Sequence, residues 1–365
     1  MRRVAALVWL ALLFGCSPEY GQAYLVAIAT GQRALHAGRY DDAAVAFEDA
    51  TAKALRVKDR DEALFMKARA RERAKRWREA RAEYERLRST SPRGPRAARA
   101  LFGIAELEIK HGDAAVGWKV LDDAIRAYPQ HGITRLAIRR FVDREKDRSG
   151  EGAVLAWLDA HRAAFKGTDQ EEVIAYETAA SLQRGGRKQE AHDAFLATAA
   201  RWPYPRGGFT TDALWEAAVI DEELGRHAEA IAHLRKLVDP RERADTTGSY
   251  ERPRYIVAQL RIAEIFRDKL KDNASARREF HRVYTDYKLS IKRDDALWSE
   301  ARLAHQDGDR DAACSLTALI VEEFPLSRYA SCARELCPGA PAAKRACAGY
   351  IRRELGKGDG GDGPP

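Results

Sequence analysis

A seven-residue phrase returns through this chain and limits its fold more than any other feature. It reads Glu62-Ala-Leu-Phe-Met-Lys-Ala68, then Arg99-Ala-Leu-Phe-Gly-Ile-Ala105. It comes back as Asp212-Ala-Leu-Trp-Glu-Ala-Ala218 and Asp295-Ala-Leu-Trp-Ser-Glu-Ala301. Each copy suits the opening of a helix. About twelve residues after its last alanine stands a second small residue: Ala80, Gly117, Ala230 and Ala313. Small residues at two fixed places, with bulky ones between, predict two helices crossing closely, again and again. Aromatic residues make up only 8% and charged residues 32% of the 365. That mix favours helices of small residues over one thick core. A stack of hairpins is a quasi-one-dimensional surface, so binding is expected before chemistry.

The repeat extends beyond the phrase. The first copy has Gly31, Gly38, Tyr40, Ala43, Phe47 and Ala50. The second has Leu64, Ala68, Trp77, Ala80, Tyr84 and Pro92, and the third Leu101, Ala105, Gly112, Gly117, Leu121, Ala124 and Pro129. A fourth, about residues 132–166, keeps Ala153, Trp157 and little else. A fifth has Ala175, Ala179, Gly186, Ala191, Phe195 and Pro203, with Thr198 where an alanine is usual. A sixth has Leu214, Ala218, Gly225, Ala230 and Leu234. The seventh, with Ala263, Ala276 and Phe280, carries one extra residue near Lys271-Asp-Asn273. The eighth has Leu297, Ala301, Gly308, Ala313 and Pro325. These positions resemble the tetratricopeptide (TPR) motif, a helix-turn-helix of about 34 residues. The resemblance implies an all-α solenoid of helical hairpins in a right-handed superhelix, about eight repeats with C-terminal capping helices. Boundaries follow: residues 24–166 for repeats one to four, 167–325 for five to eight, 326–355 for a cysteine-rich helical cap. Residues 356–365, rich in Gly, Asp and Pro, are expected to be a disordered tail. The polar stretch 239–254 is expected to be a long loop.

The first residues look like an address. Arg2 and Arg3 precede an apolar run from Val4 to Phe14, too short for a mature membrane span. The run ends in Leu13-Phe14-Gly15-Cys16, which resembles the lipobox of bacterial lipoproteins. The resemblance implies a signal peptide over 1–15, lipidation of Cys16 and a tether over 16–23. Ser17 after the cysteine implies the outer membrane, on its periplasmic side. The formal charge of +8 falls to roughly +6 without Arg2 and Arg3.

An exported chain meets an oxidising compartment, so its cysteines are expected to pair. Cys314 and Cys337 are equidistant from the turn at Pro325-Leu326, and Cys332 and Cys347 from the turn at 338–341. Pairing Cys314 with Cys337 and Cys332 with Cys347 is therefore favoured. Cys314 with Cys332 and Cys337 with Cys347 stays open. A zinc site among them has no CxxC support.

The residue after the leucine of each phrase turns by about 100° on the helix, towards the concave face that the resemblance assigns to first helices. This puts Phe65, Phe102, Trp215 and Trp298 on one inner ridge, joined by Tyr176. Rigid aromatics bury much area at low entropy cost, so these five are the candidate partner-binding residues. The basic run Arg69, Arg71, Arg73, Lys75, Arg76, Arg78 and Arg81 alternates with Glu72, Glu79 and Glu83, as a solvated face does. No nucleic-acid module accompanies it. The nine histidines show no HExxH and no paired-ligand spacing, and no nucleophile elbow or phosphate loop is present. No cofactor, metal or catalytic residue is expected. The repeat dialect is similar to periplasmic TPR lipoproteins of outer-membrane assembly and to TPR domains of cell-envelope coordination proteins. The expected role is a lipid-anchored scaffold for other envelope proteins or peptides. A receptor for extended exported chains and a peptidoglycan-associated structural partner are the alternatives.

Overall fold

The structure is a computed structural model and describes residues 21–239, 253–341, 343 and 345–356. Cys16, the expected signal peptide, most of the 239–254 stretch and most of the tail lie outside the described residues. Described residues form helices and turns, with no strand among them. None of these helices is long and apolar enough to cross a membrane.

The chain divides into two compact units, one ending at Glu171 and the next starting at Glu172. The first holds four hairpins: α1 (Gln22–His36) with α2 (Tyr40–Lys53), α3 (Val57–Arg73) with α4 (Trp77–Thr90), α5 (Ala97–His111) with α6 (Ala114–Ala127), and α7 (Thr134–Ser149) with α8 (Glu151–Phe165). Each helix packs on the next in sequence. The faint fourth repeat is thus a complete hairpin, and Gly150, at a φ of 81°, makes its turn. The second unit holds α9 (Glu171–Arg184), α10 (Lys188–Arg201), α11 (Thr210–Glu223), α12 (His227–Val238), α13 (Pro253–Glu264), α14 (Asn273–Asp286), α15 (Arg293–Gln306) and α16 (Arg310–Glu323). From α10 onward, each of these packs on its successor.

The small residues sit where the helices cross. Ala68, Ala80, Ala105, Ala179, Ala191, Ala218, Ala230, Ala263, Ala276, Ala301 and Ala313 are at most 1% exposed. Two crossings require glycine. A Cβ on Gly117 would stand 2.5 Å from the backbone nitrogen of Ile109, and one on Gly31 would stand 2.5 Å from the Phe47 ring. The turn inside each hairpin has its own recurring form. In the first, Arg39 N–H donates to Ala34 O while Gly38 N–H donates to Leu35 O, a Schellman-type ending with Gly38 at a φ of 74°. Gly186, Gly225 and Gly308 repeat it, and Lys75 adopts the same backbone without being glycine.

The seventh repeat absorbs its extra residue inside the helix. α13 continues as a π-helical segment, Ile265–Lys269, so Ala263 and Ala276 still meet at the crossing. Such one-residue insertions are the usual origin of a π-bulge.

The cap is shorter than expected. In place of a mostly helical 326–355 there are a 3₁₀ turn (Ala330–Cys332), α17 (Ala333–Leu336) and α18 (Gly349–Glu354). The disulfides do much of the holding that longer helices would do. Cys314–Cys337 and Cys332–Cys347 are both formed, with Cα atoms 5.0 and 4.6 Å apart. Tyr329, Cys332, Leu336 and Ile351 cover the apolar end of α15 and α16.

Replacing Gly117 with leucine forces α5 and α6 apart at their crossing. We expect a loss of about 1–3 kcal/mol in urea unfolding. Wild-type stability in that variant would mean that the close approach is not needed.

Candidate functional site

The aromatic ridge is the first test of the sequence reading. Phe65, Phe102 and Trp298 are 6%, 3% and 2% exposed. This corrects the expectation that they line an open surface. The face 100° round from the leucine meets the partner helix and the next repeat before it meets solvent. Phe65 packs on the Tyr84 ring, 5.8 Å away, under the guanidinium of Arg96. Trp298 stacks on Tyr329 of the cap at 5.0 Å, and its indole N–H is buried without a hydrogen-bond partner. Tyr176 and Trp215 are half-buried. Tyr176 stacks on Phe209 at 4.4 Å, and Arg254 lies over Trp215 at 5.1 Å while pairing with Asp212 at 2.8 Å. Burial, then the Asp212 and Glu216 carboxylates, push the Tyr176 phenol up to about 12. Those two rings belong to a mixed, largely charge-paired surface.

A concavity with a distinct chemical character lies in the first unit. A hollow of about 520 Å³ is bounded by α1, α3 and α5. Its apolar floor is Leu35, Phe65 and Met66. Arg69, Arg73, Arg96, Arg99 and His36 stand around it, with Glu62 as the single carboxylate. Repeat geometry explains the convergence. Phe65, Arg69 and Arg73 are spaced by four along α3, hence on one face. Arg99 takes the place of Glu62 in the next copy of the phrase, and Arg96 stands three residues before it, so the next first helix brings both alongside.

Ion pairs sort the basic run into two sets. Arg71 reaches Asp41 at 2.9 Å and Glu79 at 3.2 Å, and Arg76 reaches Asp41 at 2.9 Å. Arg81 pairs with Glu85 and with the buried Glu108. The pairs with Asp41 and Glu108 bind repeat to repeat. Arg96 pairs with Glu62, and Arg69 stands 3.7 Å from Glu72. Arg73 and Arg99 are exposed, with no ion-pair partner among the described residues. The sequence reading treated the whole run as a solvated face. The four-residue step from Phe65 was the signal that separated Arg69 and Arg73 from the rest.

The positive field acts on a neighbour. Burial first, then the charges of Arg99 and Arg96, hold the His131 imidazole below its ordinary value. Its Nδ1 accepts from the Ile133 N–H at 3.2 Å. The hollow therefore presents unneutralised cations around an apolar floor, an arrangement that attracts carboxylates and rejects basic chains.

A tetratricopeptide-repeat family model matches residues 28–95, 65–131 and 176–245. The helical hairpins described within those stretches are similar to tetratricopeptide repeats. The residues that line the hollow fall within the first two, overlapping matches, and repeats of this kind serve protein–protein interaction. No curated protein matches the chain. Among solved structures, the chain is similar to the C-terminal part of a TPR repeat-containing protein from Cytophaga hutchinsonii. That pair is 12% identical over 74% of this chain and 99% of the other, with a TM-score of 0.44. It is also similar to the P58(IPK) TPR domain, 14% identical over 91% and 89%, with a TM-score of 0.24. Neither likeness bears on curvature or ligand.

Arg99→Met removes one of the charges acting on His131. Its imidazole then titrates at a higher pH than in the wild type, as followed by NMR chemical shift. An unchanged or lower titration point would show that Arg99 does not act on this side of the first unit.

Proposed function

We propose that the chain is a non-catalytic docking platform that holds a protein partner in the hollow of its first unit. The partner segment carries an apolar side chain flanked by carboxylates. The observation that carries this reading is the pair of unneutralised guanidiniums, Arg73 and Arg99, set around the Phe65 and Met66 floor. An apolar anchor supplies area, and charge-assisted hydrogen bonds to arginine supply orientation. The platform works at the outer membrane on its periplasmic side, anchored through a lipid on Cys16, within an assembly or secretion complex of the envelope. The lipobox-like Leu13-Phe14-Gly15-Cys16 supports the anchor. Two disulfides support an oxidising compartment.

A fluorescein-labelled peptide with one leucine between two glutamates on each side is the direct probe. The full chain binds it more tightly than its lysine counterpart, and affinity falls with added salt. Arg73→Glu with Arg99→Glu weakens binding about 10–100-fold. Equal affinity for the two peptides, or no effect of the reversal, would sink the acidic-segment reading. The anchor has its own check. Cys16→Ser moves the protein from the membrane fraction to the soluble fraction and abolishes palmitate labelling in cells; retention with undiminished labelling would refute it.

A further inference from the structure

Within the second unit, α10, α11 and α12 bring His192, Asp221 and His233 together. One donor atom from each lies within 4.8 Å of the others. Asp221 is fully buried and His192 is 7% exposed. His192 Nε2 stands 3.0 Å from Asp221 Oδ1, and His233 Nδ1 stands 2.8 Å from Asp221 Oδ2. The residues are 29 and 12 positions apart in sequence, so no local motif announces them.

Proton accounting makes the cluster more than a hydrogen-bonded knot. Asp193 Oδ1 lies 3.1 Å from His192 Nδ1. A carboxylate only accepts, so Nδ1 carries the proton. In a neutral ring Nε2 is then a bare lone pair, and it faces Asp221 Oδ1, a second acceptor. Both atoms are buried, and His192 Nε2 receives no hydrogen bond. Two lone pairs at that distance repel unless a proton or a metal ion lies between them. An imidazole whose outer N–H is held by a carboxylate while its inner nitrogen points at further donors is the usual setting of a metal-ligating histidine. Arg226 Nε, 2.9 Å from Asp221 Oδ1, steadies the carboxylate, and Arg226 itself is held by Gln189 at 3.0 Å.

We propose that His192, Asp221 and His233 form a binding site for a transition-metal dication. Two imidazoles and one carboxylate suit zinc among the divalent ions, and the remaining position is left to water. The ion clamps the second helix of repeat five to both helices of repeat six. Its role is structural and independent of the acidic-segment reading.

The test uses the untagged full chain, stripped with a chelator and titrated with Co²⁺ alone. Visible d–d absorption saturates at one equivalent, Zn²⁺ displaces it, and Zn²⁺ raises the thermal unfolding midpoint. His192→Gln and His233→Gln abolish the absorption. Asp193 is largely exposed, so Asp193→Asn keeps the metal-free melting of the wild type and still weakens Co²⁺ binding about 10–100-fold. That variant decides the matter where a histidine variant does not fold. A wild type with no d–d bands and a midpoint indifferent to Zn²⁺ overturns the site and leaves a protonated His192 bridging two carboxylates. Binding unchanged in Asp193→Asn and in both histidine variants places the metal elsewhere and overturns it equally.

Discussion

Everything in this molecule depends on how closely two helix backbones approach at one point in each hairpin. Alanine or glycine at that point lets the axes come near enough for Phe47, Tyr84, Phe195 or Phe280 to close the core above it. Gly117 shows the limit, because even a methyl group would meet the Ile109 backbone. Dense packing leaves little slack in such crossings. The π-bulge of repeat seven follows from the same constraint. An added residue cannot push the two alanines out of contact, so the helix takes it up locally.

Carboxylates near the start of first helices then fasten one repeat to the next. The buried Asp61 accepts from the Ser91 hydroxyl at 2.7 Å. Glu172 accepts from the backbone N–H groups of Gly208 and Phe209 at 3.0 and 2.7 Å. Asp294 accepts from Ser327 at 2.6 Å, and Asp295 from Tyr329 at 3.0 Å. Each satisfies donors that begin the next repeat or the cap. With so many acids committed to internal joints, the cations left over define the surface. Arg73 and Arg99 are such cations, and they give the first unit its electrostatic character.

Much of the fold was legible because its signals are local and periodic. The spacing from Ala68 to Ala80, the glycine at the turn and the extra residue near Lys271 are all visible along the chain. The cysteine pairing was legible for a related reason: residues symmetric about a turn face each other. The cap was read less well, since proline, glycine and two cross-links replace the helical periodicity on which the expectation of long helices rested. The site was read least well. A helical angle of 100° gives the direction of the Phe65 side chain but not what stands in that direction. There it meets Tyr84 and Arg96, so the aromatic became a floor and the arginines the contact surface.

The sequence by itself determined the hairpin, its period and the positions where only small residues fit, because these follow from contacts within about forty residues along one helix pair and its neighbour. Tertiary structure decided which side chains remain available. Burial of Trp298 beneath Tyr329, freedom of Arg73 and Arg99, and the meeting of His192, Asp221 and His233 each depend on helices contributed by different repeats. Periodicity fixes a side chain's angle on its own helix, and only the stacked repeats fix what that angle faces.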